Sequence, residues 1–342
     1  MKAVINYYKC TKTKPFCITD FTPLLILQPY TAVMVVHKGF ENLSIKTPVV
    51  TLGIFDGVHT GHKMLLNHLI SKAKEVDGES VVITFSPHPR LVLEKNHLNL
   101  VFLSTPQEKI RLLESSGIDH LIIIDFNTQF SRIEACDFIR DYLAGKLHAR
   151  HLIVGYDHHF GRKGSGDFNT IRQCAAEMDF TVEKIDGFKT SIGTVSSTLI
   201  REALLTGRLE EASLLLGYDY PLTGQVIEGK KLGRSIGYPT ANIKADPHKL
   251  IPANGVYATE VNAGGKNYPG MLSIGTNPTV SKGRNQRSIE VNILGFTGDL
   301  YGETITVAFR KRLRDEKKFN NVEELAAQMA IDREHTLRLF RE

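Results

Sequence analysis

The alternation of short apolar runs with amphipathic stretches between residues 49 and 216 most strongly constrains the fold of this chain of 342 residues. Five runs have the length and the β-branched content of buried strands: Val49–Ile54, Ser80–Phe85, His120–Ile124, Leu152–Gly155 and Phe180–Ile185. Six stretches have helical periodicity: His62–Val76, Thr105–Ser116, Ser131–Leu143, Phe168–Met178, Ser197–Leu205 and Leu209–Leu216. Strands that alternate with helices form parallel sheets covered on both faces, so the pattern predicts a Rossmann-like α/β domain over residues 34–217. Ligands bind such sheets at the carboxyl ends of the strands.

A change of pattern after Pro221 predicts a second domain. Its apolar runs are short, β-branched and separated by turn residues: Gly255–Val261, Gly270–Ile274, Ser288–Leu294 and Thr304–Phe309. The sequence Ala263-Gly264-Gly265-Lys266 is typical of a hairpin tip, and Asn321 begins a helical pattern that ends near Phe340. Residues 218–342 are therefore predicted to form an antiparallel β-barrel with a terminal helix.

Residues 1–33 lie outside both patterns, and we interpret them as an extension that precedes the folded protein from Met34 onward. Their apolar stretch is interrupted by Asp20, Pro23 and Pro29 and is too short for a membrane span, so we expect no membrane association.

The cysteines indicate the compartment. Their spacing contains no Cys-x-x-Cys motif and is too sparse for a disulfide framework, which favours a reducing cytoplasm. The four cysteines are Cys10, Cys17, Cys136 and Cys174.

The net charge of +5 comes entirely from the last third of the chain. Residues 1–220 contain 24 Lys and Arg against 24 Asp and Glu, whereas residues 221–342 contain 18 against 13. This excess favours anionic ligands such as nucleotide phosphates. The chain has no dense Lys/Arg stripe with interleaved aromatic residues, so we expect no nucleic-acid partner.

The segment Gly53–His62 follows the first strand and opens the first helix. A turn at this place presents backbone N–H groups and a helix N-terminus to an anion, and Gly57 and Gly61 permit close approach. The imidazoles of His59 and His62 are placed to donate hydrogen bonds to phosphate oxygens. The alternative is a loop with two solvent-exposed histidines, which is less specific than His-x-Gly-His at a strand–helix junction.

Three further segments are expected at the same edge of the sheet: Thr84–Pro89, Val154–Gly161 and Val195–Arg201. The hydroxyl groups before Arg201 suit phosphate binding, although the same hydroxyls alone are more typical of a helix N-cap. His158-His159 alone suggests a metal site, but no third ligand has suitable spacing.

The segment Gly229–Asn242 is rich in glycine and basic residues and forms a second candidate site. It lacks the Gly-Lys-Ser/Thr ending of a P-loop. Gly233 and Gly237 suit a loop over phosphates, and Thr240 and Asn242 offer oxygen atoms to Mg²⁺. The alternative is a hairpin loop with a structural asparagine.

Taken together, the His-x-Gly-His, Pro-His-Pro, Gly-Tyr-Asp-His-His-Phe-Gly and Ser-Ser-Thr-x-x-Arg segments resemble FMN adenylyltransferases. The Pro-Thr-Ala-Asn loop, with Asn254–Tyr257, Ser273–Thr279 and Asp299–Gly302, resembles riboflavin kinase. The order of these motifs over residues 34–342 resembles the bifunctional bacterial riboflavin kinase/FAD synthetase family. That resemblance implies that riboflavin and ATP give FMN, and that FMN and ATP then give FAD and pyrophosphate.

The resemblance also implies site residues. For ATP in the adenylyltransferase they are Gly53, Phe55, Asp56, Gly57, His59, Gly61, His62, Ser197 and Arg201, with His59 and His62 catalytic. For FMN in the same site they are Pro87, His88, Pro89, Asp157 and Phe160. For ATP in the kinase they are Gly229, Lys231, Gly233, Gly237, Thr240 and Asn242, of which Thr240 and Asn242 would hold Mg²⁺. Glu290 would be the base that takes the proton of the ribityl hydroxyl, and Arg314 would lie by the flavin.

The chain departs from the family pattern at two positions. Asn292 stands where histidine is frequent and Gly295 where aspartate is common, so we expect altered loop order or affinity in the kinase. Three alternatives stay open: one activity only, a non-catalytic flavin or nucleotide-binding protein, or an amino-acid-activating enzyme. The last lacks its Lys-Met-Ser-Lys-Ser loop here. We expect a monomer or a weak homo-oligomer.

Overall fold

A computed structural model describes residues 33–95, 99–156, 159–178, 180–229, 233, 237–276 and 287–341. Of the expected extension at residues 1–33, residues 1–32 lie outside the described residues, as do Asp157 and Lys231. Residues 33–342 belong to one compact unit.

The first domain is built on a sheet of six parallel strands in the order β1-β4-β3-β2-β5-β6. The strands are Val35–Lys38 (β1), Val49–Leu52 (β2), Ser80–Ser86 (β3), His120–Asp125 (β4), His151–Gly155 (β5) and Thr181–Ile185 (β6). The helices are Thr60–Glu75 (α1), Pro89–Leu93 (α2), Pro106–Glu114 (α3), Ala135–Asp137 (α4), Phe168–Ala176 (α5), Ser197–Leu205 (α6) and Leu209–Leu216 (α7). This confirms the predicted parallel α/β fold.

The strand order fixes the place of a ligand site. Successive strands run from β2 to β4 on one side and then from β5 to β6 on the other side, so the direction reverses between β2 and β5. The loops after β2 and β5 diverge at this switch point and leave a crevice between them. The His-x-Gly-His segment follows β2 and therefore lies at the crevice.

The helix predicted at Ser131–Leu143 takes a different form. A 3₁₀ turn at Phe130–Arg132 leads into the short α4, which continues as a π-helix over Phe138–Lys146. The wider helix ends with the Leu147 N–H donating to Tyr142 O at 2.9 Å. Over two turns, the apolar spacing of an α-helix and of a π-helix cannot be separated in a sequence, which explains the difference.

The second domain is a closed antiparallel barrel in the order β10-β13-β12-β11-β14-β9, with β9 paired to β10. Its strands are Pro221–Ile227 (β9), Ala241–Ala245 (β10), Gly255–Ala263 (β11), Lys266–Thr276 (β12), Arg287–Ile293 (β13) and Thr304–Arg314 (β14). In the first domain, Lys189–Thr190 (β7) and Gly193–Thr194 (β8) form a small hairpin before α6. Ala263 pairs with Lys266 at the predicted hairpin tip. The barrel and its final helix, Val322–Leu339 (α8), confirm the predicted architecture.

Helices α6 and α7 pack against the barrel. One continuous apolar core includes Ala203, Leu204 and Leu216 from these helices together with Leu222 and Phe309 from barrel strands, all at most 1% exposed. The two domains therefore share a core, because the apolar face of the α6–α7 pair is covered by the barrel.

Cys136 and Cys174 are joined by a disulfide within the first domain, with their Cα atoms 5.5 Å apart. It is a single crosslink between α4 and α5, whereas the cysteine spacing predicted a compartment in which such bonds are uncommon. Within the described ranges, no helix combines the length and the apolar content needed to cross a membrane.

Candidate active sites

The loop between β2 and α1 has an unusual backbone. Phe55 and Val58 have φ angles of 51° and 34°, and Gly57 has a φ angle of 79°. A Cβ at Gly57 would lie 2.8 Å from a methyl group of Leu103, so the loop also needs glycine for close packing. Three left-handed residues within one turn direct the loop across the end of the sheet, as at many ligand-binding sites.

His59 and His62 stack at the N-terminus of α1, with ring centroids 3.6 Å apart and an angle of 13° between the rings. His59 is the N-cap, and its Nδ1 accepts the His62 backbone N–H at 3.2 Å, which places the proton of the neutral ring on Nε2. Burial, assisted by the neighbouring His59 and Lys109, holds the pKa of His62 well below 6.5. Its buried Nδ1 has no hydrogen-bond partner among the described residues.

Asp56 is buried, and both oxygens of its carboxylate accept hydrogen bonds. Its carboxylate accepts the backbone N–H groups of Leu103 at 3.1 Å and Ser104 at 3.0 Å, and an Arg201 guanidinium nitrogen at 2.9 Å. Ser197 donates its hydroxyl to Asp56 O at 2.9 Å, whereas Ser196 is the N-cap of α6. Asp56 therefore orients Arg201, whose Nε is buried without a partner in the described part of the chain.

Lys109 was not singled out in the sequence, yet it lies where β2 and β3 end. Its ammonium donates to Ile54 O at 3.2 Å, Thr84 Oγ1 at 3.1 Å and Phe85 O at 3.3 Å. Burial lowers its pKa to about 8, and the carboxylate of Asp56 opposes this shift. Nothing in the sequence distinguishes Lys109 from other helical lysines, because its three partners are distant in the chain.

A cavity of about 1220 Å³ lies at the same edge of the sheet. Nine of the predicted residues line it: Gly53, Phe55, Asp56, His62, His88, Pro89, Phe160, Ser197 and Arg201. Gly57, His59, Gly61 and Pro87 lie beside it without lining it. One wall is aromatic, with Phe85, Phe126, Phe130 and Phe138 joining Phe160. Basic side chains at Arg90, Arg132, Arg162 and Lys163 complete the lining.

His88 lies at the start of α2. Its Nδ1 accepts the Arg90 N–H at 3.1 Å, and its ring stacks on Phe102 with centroids 4.0 Å apart. Burial lowers its pKa to about 4, so the ring is neutral near pH 7. A neutral ring packed on an aromatic residue suits contact with an apolar ligand better than with phosphate.

The second candidate site lies on the barrel at β10 and β13. Asn242 and Glu290 are cross-strand partners, and the Thr240 hydroxyl donates to Glu290 Oε2 at 3.3 Å. A Cβ at Gly229 would lie 2.0 Å from the amide of Asn242, so a larger residue there would displace the Asn242 side chain. The oxygen-rich set suits Mg²⁺, and in the described residues no group of three His, Cys, Asp or Glu side chains forms an alternative metal site.

Asn292 is buried, and its amide donates to Pro239 O at 2.7 Å. It thereby holds the Pro-Thr-Ala-Asn segment directly before Thr240. Gly295 has a φ angle of 76° in the turn after β13. Both departures from the family pattern thus have a local structural role.

Arg314 forms an ion pair with Asp332 of α8. Its Nε and one terminal nitrogen donate to the Asp332 carboxylate at 2.8–3.1 Å, and Asp332 is 3% exposed. Arg314 therefore fastens α8 to the end of β14, a role that its position in the sequence did not indicate.

Comparison with known proteins agrees with this two-part arrangement. A family model described as FAD synthetase matches residues 42–199, and one described as riboflavin kinase matches residues 216–340. The chain is 39% identical over 296 residues to the bifunctional riboflavin kinase/FMN adenylyltransferase of Listeria monocytogenes, covering 85% of this chain and 92% of that protein. The protein of the same name from Escherichia coli is 38% identical over 308 residues, covering 89% and 96%. The chain belongs to the bifunctional riboflavin kinase/FMN adenylyltransferase family.

A solved structure has the same fold as this family member. It is titled as a macrolide-efflux protein from Streptococcus pneumoniae, has a TM-score of 0.80 and 33% sequence identity, and is matched over 89% of this chain and 98% of its own. The amino-acid-activating alternative is thereby set aside, because both family models and the barrel belong to flavin-nucleotide synthesis.

Proposed function

We propose that this chain phosphorylates riboflavin with ATP to give FMN, and that it adenylylates FMN with a second ATP to give FAD and pyrophosphate. We assign adenylylation to residues 34–217 and phosphorylation to residues 218–342. Family membership and two separate sites with different chemistry support this assignment.

The observation that carries the adenylylation site is a pair of buried polar atoms without partners in the described residues, His62 Nδ1 and Arg201 Nε. Both residues line one cavity at a helix N-terminus, where an anionic ligand would satisfy them. An FMN phosphate oxygen attacks the α-phosphorus of ATP, and the bond to pyrophosphate breaks. Because the nucleophile is already an anion, positioning by His59, His62 and Arg201 suffices without a strong base.

The aromatic wall of the cavity suits the flavin ring. His88, Pro89 and Phe160 are the sequence-predicted residues there, and Phe126 and Phe130 extend the same surface. Stacking of flat rings on such side chains contributes about 1 kcal/mol per pair beyond simple burial. We propose that the flavin lies against this wall, with its phosphate toward His62.

The kinase reaction needs a base, because the ribityl hydroxyl is neutral. We assign that role to Glu290, which would take the proton as the oxygen attacks the γ-phosphorus of ATP and the bond from that phosphorus to the bridging oxygen breaks, releasing ADP. Thr240 and Asn242 would hold Mg²⁺, which neutralises phosphate charge when bound. Gly229, Gly233 and Gly237 would let the loop approach the phosphates. We propose that Arg314, the last residue of β14, lies beside the flavin while its guanidinium is held by Asp332.

We further propose a monomer or weak homo-oligomer in the cytoplasm, acting on small molecules without a nucleic-acid partner. The cytoplasmic location is tested by quenching cells in acid and alkylating the cysteines of the denatured protein, so that burial does not protect them. Labelling of Cys136 and Cys174 without a reductant supports a reducing compartment, and labelling only after reduction contradicts it.

The main test incubates the purified chain with ATP, Mg²⁺ and either riboflavin or FMN, and separates the flavins by chromatography. We expect FMN and then FAD from riboflavin. His59→Ala is expected to abolish FAD formation and spare FMN formation, and Glu290→Gln is expected to do the reverse when FMN is supplied. Loss of both reactions through either substitution in a folded protein would contradict the assignment of one site to each domain.

A further inference from the structure

A series of polar contacts leads from the barrel to the loop that holds the adenylylation site. It begins at Lys249, which lies between β10 and β11. The Lys249 side chain is 0% exposed, and its ammonium donates to Leu103 O and to Glu108 Oε2, both at 2.6 Å. It also lies 4.3 Å from the centroid of the Tyr220 ring. A lysine so completely enclosed has a fixed position.

One of the two residues to which Lys249 donates, Leu103, also holds Asp56. Leu103 accepts from Lys249 through its carbonyl and donates its N–H to Asp56 Oδ2 at 3.1 Å. Ser104 donates its N–H to Asp56 Oδ1 at 3.0 Å and accepts the N–H of Gly57 on its hydroxyl at 3.1 Å. The series therefore ends at the loop that carries His59 and at the carboxylate that orients Arg201.

Backbone and side-chain bonds hold the same segment against the barrel. The Phe102 N–H donates to His248 O at 2.7 Å, and the Leu250 N–H donates to Phe102 O at 2.8 Å. Glu108 accepts the Thr223 N–H of β9 on its second carboxylate oxygen at 3.2 Å. Residues 102–108 of the first domain thus lie between the barrel and the phosphate-binding loop.

We propose that Lys249, although it belongs to the barrel, is a positioning residue for adenylylation in the other domain. This inference rests on the proposed function. By fixing the carbonyl of Leu103, the ammonium fixes the Leu103–Ser104 segment, whose N–H groups donate to Asp56, and hence the direction of Arg201. Displacing Arg201 and the loop would weaken contacts with the triphosphate, because phosphoryl chemistry depends on alignment of the reacting groups.

A purely stabilising role for Lys249 gives a different expectation. Lys249 lies within the residues that match the riboflavin kinase model, so loss of stability alone would harm the kinase reaction at least as much as adenylylation. A selective loss of adenylylation would therefore separate positioning from stabilisation within one protein preparation.

The test compares three variants of the full chain. Lys249→Met removes the charge and keeps the length of the side chain. Lys249→Met combined with Glu108→Gln avoids an unpaired buried carboxylate, which is the main risk to folding, and keeps an oxygen for one of the two N–H groups that Glu108 accepts. Lys266→Met, at an exposed hairpin tip, is the matched control.

For each variant, kcat and KM are measured for FMN to FAD and for riboflavin to FMN, well below the melting temperature. We expect the two Lys249 variants to lose about tenfold or more in kcat/KM for adenylylation, mainly through a higher KM for ATP. Their kinase constants and both reactions of Lys266→Met are expected to change less than twofold.

An unchanged adenylylation rate, or an equal fall in both reactions, would overturn the positioning role. If the unsubstituted chain makes FMN but no FAD, the proposed adenylylation fails and this inference fails with it. The unsubstituted chain thus distinguishes failure of the proposed function from failure of the positioning role alone.

Discussion

Lys109 is a partly buried cation in contact with the ends of two strands at the proposed adenylylation site. Because burial lowers its pKa to about 8, the ammonium loses its proton within the range in which activity is easily measured. The neutral amine has one donor fewer and no charge, so the strand ends and the nearby phosphates lose a fixed partner. We therefore expect adenylylation to depend on the protonation of this residue.

We predict that kcat/KM for FAD formation falls as the pH rises through about 8. Lys109→Arg, which stays charged, should remove this alkaline decline. The kinase reaction of the same chain is the internal control and should show no matching decline. A decline that persists unchanged in Lys109→Arg would assign it to another group.

The effect of Lys109 on the free energy of unfolding has a sign that distinguishes the alkaline loss of activity from unfolding of the protein. Between the lowered pKa of Lys109 and its ordinary value of 10.5, the unfolded chain binds more protons than the folded chain. The contribution of this group to the free energy of unfolding therefore rises with pH across that window, by at most about 3 kcal/mol. Alkaline loss of activity through Lys109 is thus accompanied by a gain in stability from the same group.

Asn292 gives a prediction for the kinase site. Asn292→Ala removes the donor to Pro239 O, and leaving a buried polar group unpaired costs about 1–3 kcal/mol. The segment before Thr240 then loses its anchor, so we predict a KM for ATP that is raised several-fold in the kinase reaction and an unchanged rate of adenylylation. The comparison is Asn262→Ala, an exposed asparagine of β11. Equal KM values in the two variants would contradict an anchoring role.

At the scale of elements, a charged pair links α8 to the end of β14. Asp332 is buried against Arg314, and it also accepts the side chain of Gln328 at 3.0 Å. Asp332→Asn removes the charge that compensates Arg314, which typically costs about 3 kcal/mol or more for a buried pair. We predict a melting temperature several degrees lower, whereas Glu334→Gln, on the exposed face of α8, leaves it unchanged. Equal melting temperatures would show that the pair contributes little to the attachment of α8.

The elements differ in how well the sequence predicted them. The bounds of α6 and α7 agree with the structure at both ends, because each has a strong apolar period and a polar or glycine boundary. The start of α8 at Asn321 was also predicted. The Asn321 side chain accepts the Glu324 N–H at 2.8 Å, and the Glu324 carboxylate accepts the Asn320 N–H at 3.1 Å. Strand β1 was missed, because Val35–Lys38 contains only two apolar residues and ends in His37 and Lys38, so it does not form an apolar run of the kind that predicted β2.

The candidate sites were predictable only where their residues form continuous motifs. The loop from Gly53 to His62 is one continuous segment, so its glycines and histidines together predict phosphate binding. The aromatic wall draws Phe85, Phe126 and Phe160 from separate segments, and no local pattern links them. Lys109 was missed for the same reason. Long-range neighbours become visible only after the sheet is assembled.

At the scale of the whole molecule, the shared core makes the barrel depend on α6 and α7. A fragment of residues 218–342 would expose the barrel surface that Ala203, Leu204 and Leu216 cover, whereas residues 196–342 would keep it covered. Apolar burial contributes about 25 cal/mol per Å², so we predict a higher melting temperature and less aggregation for the longer fragment. Thermal unfolding and gel filtration measure both properties. Equal behaviour of the two fragments would mean that the barrel core is complete without these helices.

The buried contact between Glu108 and Lys249 also bears on how such proteins can recombine. The two residues are 141 positions apart, and each lies in a different family domain. A chimera that joins the sheet domain of one relative to the barrel of another inherits a matched pair only if both parents carry it. A chimera with only one member of the pair would bury an uncompensated charge and lose stability. We therefore expect the segments that encode the two domains to be inherited together rather than exchanged separately.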